Sequence, residues 1–79
     1  MMYVITSMQR EATSGRMKLV YLCSFACERM TDEHKVSAHW TLGVDGAITF
    51  TREARAELVA DLVHDWCNVS VVDVVEVGA

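Results

Sequence analysis

Across residues 35–42 the side chains alternate without a break: Val36, Ala38, Trp40 and Leu42 are apolar, and Lys35, Ser37, His39 and Thr41 between them are polar. A strict period of two fits a β-strand with one face dry and one wet, whereas a helix would scatter those residues around its circumference. The competing period appears over residues 52–67. There Leu58, Val59, Leu62, Val63 and Trp66 recur at three- and four-residue spacing, which predicts an amphipathic helix with one apolar stripe. A chain that mixes such a helix with period-two strands is held to α+β architectures, in which sheet and helix cover each other.

The remaining segments fill in that frame. Residues 3–9 are β-branched and aromatic enough for a first strand. Ala12, Thr13, Ser14 and Gly15 carry turn chemistry, with Gly15 free to take a positive φ. Residues 17–27 then read as a central strand, hairpinned to the first. Met17, Leu19, Tyr21, Cys23, Phe25 and Cys27 share one of its faces, and Lys18, Val20, Leu22, Ser24 and Ala26 make a mixed second face. Residues 28–34 are polar, a loop or one helical turn. After the alternating strand, Gly43-Val44-Asp45-Gly46 predicts a hairpin turn, because Asp-Gly favours positive φ. Residues 47–50 return as a short strand with Ile48 and Phe50 inward. Thr51 is the expected N-cap and Asn68 the expected helix terminator. Residues 69–77 close the chain as a valine-rich strand whose edge, if bare, could pair with another sheet. The sequence thus predicts a β-β-β-β-α-β order: a four- to five-stranded, mainly antiparallel sheet with one amphipathic helix packed on one face. No proline, repeat or low-complexity linker divides residues 1–79, so they are expected to form one domain.

Size limits what this domain can hide. Mass scaling gives a folded surface of about 4,800 Å² against about 12,800 Å² unfolded. Stability is expected at about 4–12 kcal/mol. An apolar content of 52% is high for 79 residues. Some of it must stay exposed or be covered by a second copy, and a homodimer is the expectation. Three cysteines, Cys23, Cys27 and Cys67, are an odd number without a secretory signal ahead of them, which predicts thiols and a cytoplasmic setting. The apolar run over residues 19–26 is too short to span a bilayer.

Nothing in the sequence spells a catalytic centre. Cys23 and Cys27 would stand about 13 Å apart along a strand, too far to share a zinc ion. His64 and Cys67 could chelate from one helix face but make only two ligands. Gly-x-Ser-x-Gly, phosphate-cradling and His-Glu-x-x-His motifs are absent, so no catalytic residue, metal or cofactor is expected, and the chain is read as a non-enzyme.

Charge is the more informative signal. The net charge is −4, but residues 40–79 carry only Arg52 and Arg55 against Asp45, Glu53, Glu57, Asp61, Asp65, Asp73 and Glu76. That half stands at −5 and the first half at +1. An acidic balance disfavours direct contact with nucleic-acid phosphates. Within it, Glu53, Glu57, Asp61 and Asp65 recur at every fourth residue, about 6 Å apart along the predicted helix. Like charges at that spacing each cost a helix roughly 0.2–0.5 kcal/mol. The row is either a plain solvated face or a surface that docks on a basic groove made for nucleic acid. Trp66, near the helix end, is a candidate anchor beside it.

In these respects, and through Glu53, Glu57, Asp61 and Asp65 within an acidic second half, the chain resembles the small anti-CRISPR inhibitor proteins of phages and mobile elements. Those proteins are compact, often acidic, often dimeric and free of catalytic motifs. The resemblance implies a cytoplasmic inhibitor, acting in a bacterial host, that docks on a CRISPR effector complex and blocks its DNA binding. It implies a protein partner, with no direct nucleic-acid contact and no membrane. A homo-oligomeric structural or assembly protein of a virion is the competing reading, and a small Cys/His redox or metal sensor a third.

The cysteine pattern makes its own prediction. Neither a chelator nor a reductant is expected to change the circular dichroism spectrum or the urea midpoint at neutral pH. Unfolding by either would show that Cys23, Cys27 and Cys67 hold a metal or a disulfide.

Overall fold

A computed structural model describes residues 1–29, 34–67, 69 and 72–77. Strand β1 (Met2–Arg10) turns back into β2 (Met17–Arg29), and the two pair antiparallel from Arg10↔Met17 to Thr6↔Tyr21. The hairpin closes as its chemistry predicts. Gly15 sits at φ 70, its N–H donates to the Glu11 carbonyl at 2.9 Å, and the Glu11 N–H donates to the Arg16 carbonyl at 2.8 Å. Strand β3 (His34–Thr41) pairs antiparallel with β2, and β4 (Val72–Val77) pairs antiparallel with β1 from Met2↔Val77 to Ser7↔Val72. The result is one four-stranded sheet in the order β3-β2-β1-β4. The segment predicted as a loop over residues 28–34 instead extends β2 to Arg29 and starts β3 at His34; residues 30–33 lie outside the described part, as does the predicted terminator Asn68.

Helix α1 (Glu53–Trp66) lies across one face of this sheet. The buried side chains on it are Ala56, Val59, Ala60 and Val63, of which Val59, Ala60 and Val63 pack with Ile5 and Leu22 from the central strands. Phe25, Ala38, Trp40, Ile48, Phe50, Val72 and Val74 surround that cluster. The predicted stripe is therefore rotated. Leu58 and Trp66 are 52% and 44% exposed, and Leu62 is only half-buried. Alanine explains the rotation: the small side chains of Ala56 and Ala60 let the helix axis approach the sheet, a contact that a hydrophobicity count weights less than leucine. The N-cap is Arg52, not Thr51, and no side chain caps the first turn.

Strand β2 departs from the predicted face assignment. Val20 and Leu22 are buried toward the helix, whereas Met17 and Leu19 on the other parity are half exposed. Between Leu22 and Ser24 the register with β3 shifts, with Leu22↔Trp40 on one side and Ser24↔His39 and Phe25↔Ala38 on the other. Cys23 is the extra residue of a β-bulge, and it moves the helix-facing parity from even to odd residues. Leu22 and Phe25, three apart, thus both serve the core.

The bulge also accounts for the missing fourth strand. Pairing of β2 with β1 ends at Thr6↔Tyr21, where β2 veers off with β3. Residues 48–50 occupy the slot this opens. The Ile48 N–H donates to the Leu22 carbonyl at 2.9 Å, and Phe50 and Tyr3 exchange two bonds of 2.8 Å. Touching each neighbour at one residue, the segment makes an isolated bridge instead of a strand. The expected Asp-Gly hairpin turn becomes a 3-10 turn over Val44–Gly46 with Gly43 at φ −106, and Leu42, predicted inward, is 66% exposed. Among the described residues no helix is long and apolar enough to cross a membrane.

Two substitutions separate the strengths of this core. Leu22 is fully buried against Val59 and Val63, so Leu22→Ala is expected to lose about 2–5 kcal/mol, a large share of the whole stability. Ser7 is 1% exposed and its Oγ has no hydrogen-bond partner among the described residues, so Ser7→Ala is expected to hold or raise stability, by up to about 1–3 kcal/mol. Urea unfolding of both variants measures the contrast.

Candidate protein-docking face

Glu53, Glu57, Asp61 and Asp65 all lie on α1 and all are exposed. They do not form a straight row. Each four-residue step adds about 40° around a helix, so the series winds through roughly 120°. Its middle faces β4: Glu57 and Asp61 line a groove of about 270 Å³ together with Ala60, Val72, Asp73 and Val74. Its end, at Asp65, reaches the solvent crest. Glu53 in the first turn is favoured by the helix dipole, and Asp65 in the last turn is opposed by it.

Among the described residues, no lysine or arginine forms an ion pair with any of the four. Among the described residues their one ion-pair partner is His64, whose Nδ1 lies 3.2 Å from Asp65 Oδ1, with both side chains more than half exposed. Adjacent helix residues point apart at the backbone, and these two meet by leaning toward each other over the surface. A pair so exposed contributes little to stability.

The sheet adds two residues to this face that the helix pattern alone does not reveal. Glu76 of β4 stands opposite Tyr3 in the ladder, on the same side as the helix-packed Val72 and Val74. The Tyr3 phenol has its pKa raised, first by partial burial and then by the negative charges of Glu76 and Glu53. Both carboxylates therefore act on one hydroxyl, which joins the edge strand's charge to the start of the helix row. Strand pairing produces this neighbourhood, and the residues are 23 positions or more apart in the chain.

The opposite flank of α1 is apolar and cationic. Leu58 is 52% and Trp66 44% exposed. Arg52 and Arg55 line a shallow groove of about 520 Å³ with Thr49, Phe50, Thr51, Ala54 and Leu58. A surface that sets exposed Leu and Trp beside a band of carboxylates has the composition of a docking patch, an apolar anchor with a charged surround.

The cysteines and histidines form no comparable centre. Among the described residues no three His, Cys, Asp or Glu side chains are grouped so as to hold a metal ion. Cys23, Cys27 and Cys67 form no disulfide. The Cys67 thiol donates to the Val36 carbonyl at 3.4 Å, and burial raises its pKa, which leaves it a poor nucleophile near neutral pH.

The coupling of Tyr3 to the acidic band is measurable. Removing the two negative charges with Glu53→Gln and Glu76→Gln is expected to lower the Tyr3 titration midpoint toward that of an ordinary phenol, leaving only the share due to burial. Ultraviolet absorbance titration in a Tyr21→Phe background reads it. An unchanged midpoint would mean that the two carboxylates do not act on this hydroxyl.

Comparison of the chain with protein-family models, with curated proteins and with solved structures finds no match.

Proposed function

We propose that this chain is a small acidic binding protein that docks the α1 face on a basic, nucleic-acid-binding groove of another protein and so keeps nucleic acid out. The observation that carries the proposal is the exposed series Glu53, Glu57, Asp61 and Asp65, which among the described residues has no cationic side chain paired to it apart from His64. A helix face of this kind is self-repelling in isolation. A groove lined with Lys and Arg relieves that repulsion on contact, and Leu58 and Trp66 supply buried area beside it. The spacing of about 6 Å between successive carboxylates is close to the phosphate spacing along one nucleic-acid strand, which lets the series occupy the same cationic sites.

A CRISPR effector complex is the partner that fits this chemistry best, since it holds its nucleic acids in a positively charged channel. In that setting the protein acts as a stoichiometric blocker, without turnover, in the cytoplasm of a bacterial host.

The test neutralises the series. In the variant Glu53→Gln, Glu57→Gln, Asp61→Asn and Asp65→Asn, shape is nearly kept and four charges are lost. Expressed in a bacterium whose CRISPR system targets a phage, the parent protein is expected to restore plaque formation, and the variant to lose that effect by about tenfold or more, as steering by charge is removed. The isolated variant is expected to gain about 1 kcal/mol in urea unfolding, because three like-charge pairs disappear. Equal plaque counts for parent and variant would reduce the series to a solvated helix surface.

A further inference from the structure

We infer that the outer edge of β4 takes up an extended segment of a partner protein as a fifth, antiparallel strand, with Lys or Arg at alternate positions lying under the carboxylates of α1. The inference rests on the reading that α1 meets a cationic protein, and it adds the form that the contacting segment of that protein takes.

The backbone bonds define that edge. In the order β3-β2-β1-β4, β4 has β1 on one side and no strand on the other. Tyr3 commits both its N–H and its C=O to Phe50, on the side of β1 away from β4. Its cross-strand partner Glu76 therefore makes no ladder bond to Tyr3 and turns its own N–H and C=O outward. Alternation along the strand gives Val74 and Val72 the same orientation. Among the described residues none of these outward groups has a partner. Val72, Val74 and Glu76 are also the β4 residues whose side chains lie on the α1 side. An antiparallel strand added here exchanges N–H and C=O bonds with these three residues. Its own residues opposite them then point to the α1 side as well. Strand addition of this kind is a recurring way to bind an extended segment, with backbone bonds giving affinity and alternate side chains giving specificity.

Charge chooses the occupant. Beside this edge lies the groove of about 270 Å³ that Glu57 and Asp61 of α1 form with Val72, Asp73 and Val74. Glu57, Asp61, Asp73 and Glu76 are all exposed, and among the described residues none of them forms an ion pair. A Lys or Arg opposite Glu76 makes a cross-strand pair with it, and one opposite Val72 or Val74 lies on the side of Glu57 and Asp61. The segment that fits thus carries a cation at every second residue. A second copy of this chain does not fit. Its β4 would set the same carboxylates against these, and like charges across a ladder are destabilising. Its β3 carries Ala38 and Trp40 on the helix side, with Lys35 and His39 on the other parity. Acidic side chains guard the edge against pairing of that sort, and the same charges admit a basic strand.

A synthetic peptide and the full chain test this. The probe is a capped peptide in which three lysines alternate with threonines. Its control carries the same charges but is N-methylated at each lysine, so that no N–H can face β4. The probe is expected to slow hydrogen exchange at the amides of Val72, Val74 and Glu76, while those of Asp73 and Val75, already in the ladder with β1, change little. N-methylation is expected to weaken binding at least about tenfold, because the edge carbonyls lose their donors. Combining Glu57→Gln, Asp61→Asn and Glu76→Gln in the chain is expected to weaken the probe to a similar degree and to flatten its salt dependence. Equal binding of probe and control overturns the inference and leaves α1 as a charged surface met side-on, with the inhibitor reading intact. Absence of binding also overturns it and reduces the β4 charges to guards of a bare edge. Protection of the three amides that rises with protein concentration alone overturns it in favour of a second copy. Binding of the probe together with failure of the phage assay upholds the edge site and sinks the inhibitor reading.

Discussion

A single extra residue, Cys23, organises the sheet. Without it β2 would present either its even or its odd side chains to the helix along its whole length, and the core would lose Leu22 or Phe25. With it, both are used. The same irregularity ends the β1–β2 ladder at Thr6↔Tyr21 and lets β2 follow β3. It frees the Leu22 carbonyl for Ile48 and the backbone of Tyr3 for Phe50. Those bonds fix the segment that leads into α1, so the position of the helix depends on a local slip in one strand. A bulge is destabilising taken alone, because it leaves a residue outside the ladder. Here the unpaired backbone of the neighbouring strands finds partners in residues 48–50, and almost no buried side chain is left unsatisfied among the described residues, Ser7 excepted.

The two layers divide the surface into regions of unlike chemistry. On the helix side, carboxylates from α1 and Glu76 surround Tyr3, with Leu58 and Trp66 on the far flank. On the sheet side Met2, Met8, Met17, Leu19 and Val75 are exposed, and strand alternation sets Arg10, Glu28, Lys35, His39 and Asp73 on the same face. A net charge of −4 spread evenly would have served solubility alone. Here much of it is concentrated along α1 and at Glu76.

The fold was legible in the sequence where side-chain parity and environment agree. Residues 35–42 declared their strand because β3 is an edge with one wet side, and Ala38 and Trp40 do face the core. The helix declared its existence but not its phase, because Ala56 and Ala60 bury little area each yet decide how closely the helix lies on the sheet. The bulge was invisible: no glycine or proline marks Cys23, and the odd residues of β2 form a tidy apolar series that in fact divides between two faces. Asp45-Gly46 failed as a hairpin signal because the chain needed to cross to β1 and not to return along β3. The acidic series was read directly from its spacing, whereas its drift around α1 and its link to Glu76 through Tyr3 depend on strand order, which no local pattern encodes.

The pairing of Met2 with Val77 has a consequence for the order of assembly. The β1–β2 and β2–β3 ladders join neighbours in the chain and need only short loops to close. Strand β4 seals the remaining side of β1 from the far end of the chain, so its docking carries the largest loop-closure entropy of any contact in the fold. Until Val72–Val77 is synthesised, β1 is an open edge with Val4 and Ile5 unprotected. A chain in which Val72–Val77 has not yet docked therefore carries a sticky three-stranded sheet, and the pairing of longest range completes the fold.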